Sequence, residues 1–341
     1  MTTQEPTDPR SWWRATDGAP LTTALPHLGV IAAVGPEAAT FLHGQLSQDI
    51  KGLQPHEARL AAYCSAKGRM LASFLVLHPL PDTYWLVVRR DVLPDVLKRL
   101  TMFVLRAKCK LSDATAQAGL LGEMQLAVDP GVDAAATDAP AQVSVLTRDD
   151  AGQPTRWACS LPAVQGVTRT LVLGGQGPDA PDELASAAWR WLEVLSGQPQ
   201  IERPTVEKFV PQMVNYELIG GVNFKKGCYP GQEVVARSQY RGTTKRRAFV
   251  LWSAQAAEPG AELFSSADPG QPAGLVINAA SVPAAPSASA GGVGHAVLAE
   301  LKLDAHDAAA SGAATLHLGQ ADGPALSLAP QPYAVPREEA A

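Results

Sequence analysis

Residues 223–242 read NFKKGCYPGQEVVARSQYRG. One of only four cysteines in 341 residues stands here, between two lysines and a proline–glycine step. Pro230 suits the first position of a helix running through GQEVVARSQY, and Gly242 suits its stop. Cys228 then lies just before a helix N-terminus, where partial positive charge favours a thiolate. Lys225 and Lys226 add charge of the same sign. The thiolate is the nucleophile, the metal ligand and the redox-active form of cysteine. Gly227 and Gly231 leave the backbone free to approach a ligand or take unusual angles. The other reading of Cys228 is a small buried hydrophobe, which most free cysteines are. Cys64, Cys109 and Cys159 lie in apolar, strand- or helix-like contexts and take that second reading.

Downstream, the run from Lys225 to Arg247 carries seven Lys or Arg residues and one acid, Glu233. In a chain of net charge −5 this is a local basic patch that could hold a polyanion, or else an ordinary solvated helix face and turn. Beyond residue 244 the grammar changes. KRRAFVLW, GLVIN and GVGHAVLAELKL read as short strands separated by Pro, Gly and Ala, the pattern of a small antiparallel barrel or sandwich. A domain boundary near 244 follows, and AASVPAAPSASAGG, 279–292, reads as a low-complexity loop.

Upstream, DELASAAWRWLEVLSG, 182–197, predicts a helix with Asp182 as its cap, Gly197 at its end and Pro199 beyond. Trp189 and Trp191 are two positions apart and face different directions. One suits the core and the other could stack on a flat ring such as a pterin. DPGVDAAATDAPAQ, 129–142, is a loop. DVLPDVLKRLTMFVLRAKC, 91–109, is helical in period with a boundary near Met102. TYWLVVRR, 83–90, is a strand, and LAAYCSAKGRMLASFLVLHP, 60–79, reads as strand, turn, strand around Lys67-Gly68. PEAATFLHGQLSQDI, 36–50, has apolar residues at 38, 41, 42 and 46 and predicts a helix opened by Pro36. Residues 1 to about 20 read as a polar arm.

The length suits two or three domains, and 46% hydrophobic residues allow a sizeable core. Few, scattered cysteines without a CxxC pair indicate a reducing compartment. The polar N-terminus lacks an apolar segment, and no apolar run reaches membrane-spanning length, so a cytoplasmic protein without a membrane role is expected. There is no GxxxxGK[ST], no GxGxxG after a strand, no HExxH and no CxxC. Nucleoside-triphosphate chemistry, Rossmann dehydrogenation and a structural zinc are disfavoured, and no metal ligands are expected.

At this point the chain resembles a known family. KGCYPGQEVVAR is similar to the K-G-C-Y-x-G-Q-E signature of the YgfZ proteins, folate-binding relatives of the glycine-cleavage T-protein (aminomethyltransferase). The similarity extends through FVPQMVNYELIGGVNFK, SQYRGTTKR, FLHGQLSQDI and AAYCSAKGRM, covering about residues 25–250. The resemblance implies an α+β fold: a three-domain ring of the T-protein type, with two interleaved α+β domains over 20–244 and a C-terminal β-barrel over 245–335. It implies tetrahydrofolate, or a one-carbon derivative of it, in a central hole. WRWLEVLSGQPQI resembles the segment whose folate-contacting tryptophan falls on Trp189, and a second such tryptophan falls at Leu28. The family's functional cysteine falls on Cys228. Lys226 and Arg237 are candidate grips for the folate carboxylates. The implied role is an accessory in assembly or repair of iron–sulfur enzymes, including those that methylthiolate tRNA. Its partners would be iron–sulfur proteins and their assembly factors, with tRNA reached only indirectly. Folate-dependent aminomethyl or one-carbon transfer is the alternative. Ala72 and Ser73 stand where true aminomethyltransferases place acids, which argues against T-protein chemistry. An RNA-binding module using the 225–247 patch is a third reading, opposed by the net-acidic chain.

Overall fold

The computed structural model describes residues 19–126, 141–174, 182–240, 244–283 and 294–336. The chain opens with β1 (Leu21–Ala24), β2 (Leu28–Val34), α1 (Ala38–Gln45), β3 (Glu57–Cys64), β4 (Met70–Leu80) and β5 (Thr83–Arg89). Helix α2 (Leu93–Val104) and β6 (Lys110–Asp113) follow. Then come β7 (Leu121–Leu126), β8 (Ala141–Arg148), β9 (Pro154–Val164) and β10 (Val167–Leu173). Helices α3 (Glu183–Leu195) and α4 (Gln232–Tyr240) precede β11 (Arg246–Ser253), β12 (Glu262–Ser265), β13 (Gly274–Ser281) and β14 (His295–Lys302). Helix α5 (Leu303–Ala310), β15 (Leu316–Leu318) and β16 (Ala325–Leu328) complete it.

The first ten strands form one sheet in the order β1-β7-β10-β9-β8-β3-β4-β5-β2-β6. Its two halves meet where Glu57 and Ala58 of β3 pair with Gln142 and Ala141 of β8. Strand β1 crosses to the half built from residues 121–173, while β2 to β6 make the other half. The last six strands close a barrel, β11-β14-β13-β12-β15-β16. Strand β2 is LGVIAAV, buried on both faces except at Val34, so it reads as a continuous apolar run rather than an alternating one. Apolar residues of β2, β3 and β4 pack under α1 and α2. Inside the barrel, Phe249, Leu251, Val276 and Leu301 form a separate core.

Helix α3 ties the pieces together. The Asp182 side chain accepts the Ala185 N–H at 3.0 Å, the cap anticipated above, and Gly197 takes φ +65 after the last turn. Its buried face carries Ala185, Ala188, Trp189 and Leu192, packed with β1 and with barrel strands β13 and β14. Trp191 stacks on Trp252 of the barrel at 5.5 Å, the core role expected for one of the two tryptophans.

Several expectations shift. Helix α1 begins at Ala38, two residues after Pro36, and α4 begins at Gln232, two after Pro230. Gly231 lies at φ +80, so the backbone leaves helical geometry between Pro230 and the first helical turn. Ala279–Ser281, assigned to a loop by composition, are the end of β13, and Ala141 and Gln142 begin β8. The 279–292 stretch beyond 283, most of 129–142, Gly242 and residues 1–18 lie outside the described residues. Helix α5 replaces the strand grammar at 303–310. Among the described residues no helix is long and apolar enough to cross a membrane.

Candidate functional site

Two places gather chemistry: a cavity between α3 and the barrel, and the loop that carries Cys228. The cavity has two parts. A narrow slot of about 50 Å³ is lined by Leu28, Ser73, Leu75, Val87, Trp189 and Tyr216. A wider cleft of about 550 Å³ runs between α3, residues 256–259 and strands β13 and β14. Arg89, Glu193, Gln198 and Gln200 line both, so the slot and the cleft adjoin at these four residues.

The junction is held by a polar network centred on Glu193. One carboxylate oxygen accepts from Trp189 Nε1 at 2.9 Å and from Gln200 Nε2 at 3.0 Å; the other meets His27 Nε2 at 3.1 Å. Burial alone raises a carboxyl pKa, but His27, Arg89 and the Gln200 hydrogen bond outweigh it and hold Glu193 at about 2. Arg89 donates to Gln200 Oε1 at 3.2 Å and pairs with Glu202 at 3.2 Å. Asn278 of the barrel closes the circuit, donating to Glu202 at 2.8 Å and to the Gln200 carbonyl at 2.9 Å. Glu202 is itself pushed up by burial, against the pull of Arg89 and Asn278. A connected network of this kind fixes side chains more firmly than apolar packing alone.

The same junction keeps free hydrogen-bonding capacity. Arg89 Nε is buried without a hydrogen-bond partner, and no partner among the described residues holds the Gln198 side-chain amide. A donor and an amide beside an apolar, aromatic-walled slot fit the edge of a heteroaromatic ring. The slot by itself is smaller than a bicyclic ring, so such a ligand would enter edge-on and extend into the cleft.

Trp189 is a wall of the slot and also a core residue, 1% exposed. Strand β7 approaches one side of its ring. A Cβ at Gly122 would come within 2.4 Å of it, so glycine is what allows this packing. Leu28 reaches the same slot from the start of β2. Ser73 Oγ accepts the Ile201 N–H at 2.9 Å.

The Cys228 loop is built on separate contacts. Cys228 is the exposed one of the four free cysteines; Cys64 and Cys159 are buried and Cys109 is intermediate. Burial pushes the thiols of Cys64 and Cys159 up to about 12. Lys226 turns inward instead, donating from Nζ to the carbonyls of His43 and of Leu46 (2.6 Å) at the end of α1, 4.8 Å from the Tyr229 ring centre. Burial brings the Lys226 ammonium down to about 8, against the opposing charges of Asp49 and Cys228. His43, 3.1 Å from Asp49, is lowered by burial and by Lys226. Ser47 Oγ donates to the Gly221 carbonyl at 2.6 Å and Gln48 Nε2 to that of Gly220 at 2.5 Å. On the other side Gly231 meets the 65–68 turn backbone to backbone; a Cβ there would lie 2.3 Å from the Ser65 carbonyl oxygen. FLHGQLSQDI, CSAKGRM and KGCYPGQE, distant in sequence, therefore converge on one loop.

No model of a protein family matches the chain. Curated relatives do. The tRNA-modifying protein YgfZ of Photorhabdus laumondii is 32% identical over 237 residues, 68% of this chain and 71% of that one. That of Vibrio vulnificus strain YJ016 is 29% identical over 239 residues, 70% and 71% of the two chains. That of Vibrio atlanticus is 29% identical over 223 residues, and the match spans 66% of its length. The chain belongs to the YgfZ family. The glycine cleavage system aminomethyltransferase T from Bartonella henselae superposes with a TM-score of 0.62 at 16% identity, covering 92% of this chain and 86% of that one. This YgfZ chain therefore has the α+β fold of the aminomethyltransferase type.

Of the YgfZ residues named from sequence, Trp189 and Leu28 are together in the slot. Lys226, Arg237 and Cys228 line neither the slot nor the cleft. Lys226 is committed to carbonyls of α1. Arg237 is exposed on α4, 3.8 Å from Glu233. The basic run is not a continuous cationic surface. Arg246 pairs with Glu300 at 2.8 Å and Arg247 with Glu217, while Arg241 lies outside the described residues. Counting acids along the run found Glu233 and missed partners that the fold brings from 217 and 300. Arg89, Glu193, Gln198 and Gln200 were not singled out from sequence. The signal available was a glutamate one turn after Trp189 on the same helix face.

Proposed function

We propose that this YgfZ-family chain is a folate-binding accessory protein tied to tRNA modification. In this reading it takes tetrahydrofolate, or a one-carbon derivative, in the slot and cleft, and uses Cys228 as its functional thiol. The observation that carries the reading is the junction: an aromatic-walled slot adjoining a polar cleft at Arg89 and Gln198, both with unspent hydrogen-bonding groups. The names of the curated relatives support the tRNA connection, and the aminomethyltransferase fold supports a folate. The finer role is assembly or repair of iron–sulfur enzymes that modify tRNA, in the cytoplasm. Residues 20–244 form the folate-binding region and 245–335 the barrel domain that closes one wall of the cleft. T-protein-type aminomethyl transfer is disfavoured, because Ala72 and Ser73 offer no carboxylate.

Calorimetric titration of the purified protein with tetrahydrofolate tests the ligand. Saturable binding that weakens about tenfold in Gln198→Ala is expected, from one charge-free hydrogen bond and its desolvated partner. No binding to the wild-type protein refutes it. Complementation of a strain lacking the protein tests the thiol. Cys228→Ala should fail to restore the activity of iron–sulfur tRNA-modifying enzymes, and full rescue refutes the role.

A further inference from the structure

We infer that Arg190 anchors a carboxylate of a single-glutamate folate tail in the cleft, and that the acidic side chains around it disfavour longer glutamate tails. The inference rests on the folate reading above and adds which form of the ligand the site selects.

The topology of the cavity sets the direction of the ligand. The cleft adjoins the slot at Arg89, Glu193, Gln198 and Gln200, so the tail of a ring held edge-on in the slot would extend past these side chains into the cleft. There α3 presents Glu183, Ser186, Arg190 and Glu193 along one face, spaced three, four and three residues apart. Arg190 therefore lies one turn beyond the junction, in the direction the tail takes. It is exposed, and no hydrogen bond or ion pair from the described residues holds it. The neighbouring guanidinium groups are already committed. Arg89 has both terminal nitrogens engaged, by Gln200 and Glu202, and keeps only its buried Nε–H, and Arg169 is buried against the Pro162 carbonyl at 3.2 Å. Among the described residues of the cleft lining, Arg190 is the guanidinium whose terminal nitrogens are open, and a guanidinium grips a carboxylate through two parallel hydrogen bonds. Arg237, the candidate from sequence, is on another helix and outside the cleft.

The rest of the lining carries the opposite sign. Glu183, Glu193, Glu202 and Glu258 face Arg89 and Arg190, and burial holds His295 toward its neutral form. The formal charge of the lining is thus −2. A monoglutamate tail carries two carboxylates; one finds Arg190 and the other is left to solvent. Each further γ-linked glutamate adds a negative charge that meets Glu183 and Glu258, which nothing among the described residues neutralises.

The test compares three probes by titration: the carboxamide of tetrahydropteroate, which has no tail carboxylate, tetrahydrofolate with one glutamate, and its triglutamate. In the wild type the monoglutamate should bind about tenfold tighter than the carboxamide, the size of one charge-assisted contact. Arg190→Gln should bring the monoglutamate down to the carboxamide value and leave the carboxamide unchanged. The triglutamate should bind several-fold more weakly than the monoglutamate at low salt. That gap should close in 0.5 M salt and in the double variant Glu183→Gln/Glu258→Gln. An Arg190→Gln variant that weakens both short probes equally, or neither, overturns the anchor. A triglutamate that binds as tightly as the monoglutamate at low salt overturns the selection. If the wild type binds none of the three, the folate reading itself fails and this inference with it.

Discussion

Replacing Glu193 by glutamine removes one charge from the centre of the junction while keeping its shape. Glu193 is largely buried and its carboxyl is held at about 2, against an ordinary 4.5. At about 1.36 kcal/mol per unit the ionised form is favoured in the folded state by roughly 3 kcal/mol. The folded value lies below the unfolded one. That stabilisation is therefore fully present above about pH 4.5 and drains away as the pH falls toward 2. Glutamine still offers an oxygen to Trp189 Nε1 and Gln200 Nε2, so part of the hydrogen bonding survives. The expected cost of Glu193→Gln at pH 7 is about 1–3 kcal/mol, the part that belongs to the charge. Urea unfolding followed by tryptophan fluorescence reads it, because Trp189 donates directly to the altered side chain. The difference between wild type and variant should shrink steadily from pH 4.5 downward. A variant within 0.5 kcal/mol of wild type at pH 7, or a difference constant from pH 7 to pH 3, would refute the claim that the carboxylate is held ionised by its neighbours.

Thiol labelling of the native protein should show one fast cysteine; Cys228→Ser should remove it, and Cys64 and Cys159 should label only on unfolding. Fast labelling of Cys64 or Cys159 in the native state would contradict their burial. Gly122→Ala places a methyl 2.4 Å from the Trp189 ring, so it should destabilise the protein by about 1–3 kcal/mol and weaken tetrahydrofolate binding together. Loss of stability with unchanged affinity would show that the ring position does not matter to the ligand. Gly231→Ala combines φ +80 with a Cβ 2.3 Å from the Ser65 carbonyl. It should lower thermal stability by a cost of at least about 1 kcal/mol and change the labelling rate of Cys228, while leaving tetrahydrofolate affinity alone. An unchanged labelling rate would mean that the 65–68 turn does not position the loop.

The sequence made some elements legible because they carry their own signals. Helix α3 has a cap, a buried face and a glycine stop within sixteen residues, and no tertiary partner is needed to see them. The barrel strands β11 and β13 announce themselves by apolar runs between Pro and Gly. Strands β6 to β10 gave no such reading: β8 buries only Val143 and exposes Gln142, Ser144, Leu146, Thr147 and Arg148, and β9, between β8 and β10, mixes polar and apolar positions. The slot was half visible. Trp189 and Leu28 came from family resemblance, whereas Arg89 and Gln200 are unremarkable in a string and gain meaning only when β5, residues 198–202 and β13 meet. Lys226 shows the opposite failure. Adjacent to Cys228 in sequence, it suggested a cationic companion for thiol or ligand, yet its four-carbon stem carries the ammonium inward to two carbonyls of α1.

Ser73 explains why the acid position of an aminomethyltransferase is better filled here by a hydroxyl. Its oxygen accepts the Ile201 N–H in a buried site, at 2.9 Å. That bond pins the segment after α3, and the same segment places Gln198 and Gln200 at the junction. Gln200 in turn joins Glu193, Arg89 and Asn278, and so links α3, β5 and the barrel strand β13. A carboxylate at 73 would set a second negative charge in the slot that Glu193 already lines. Either it would ionise, at the electrostatic cost of two like charges in low dielectric, or it would take up a proton. A serine hydroxyl meets the same backbone N–H at no charge. Ser73 is thus a fastening point for the segment that lines both the slot and the cleft.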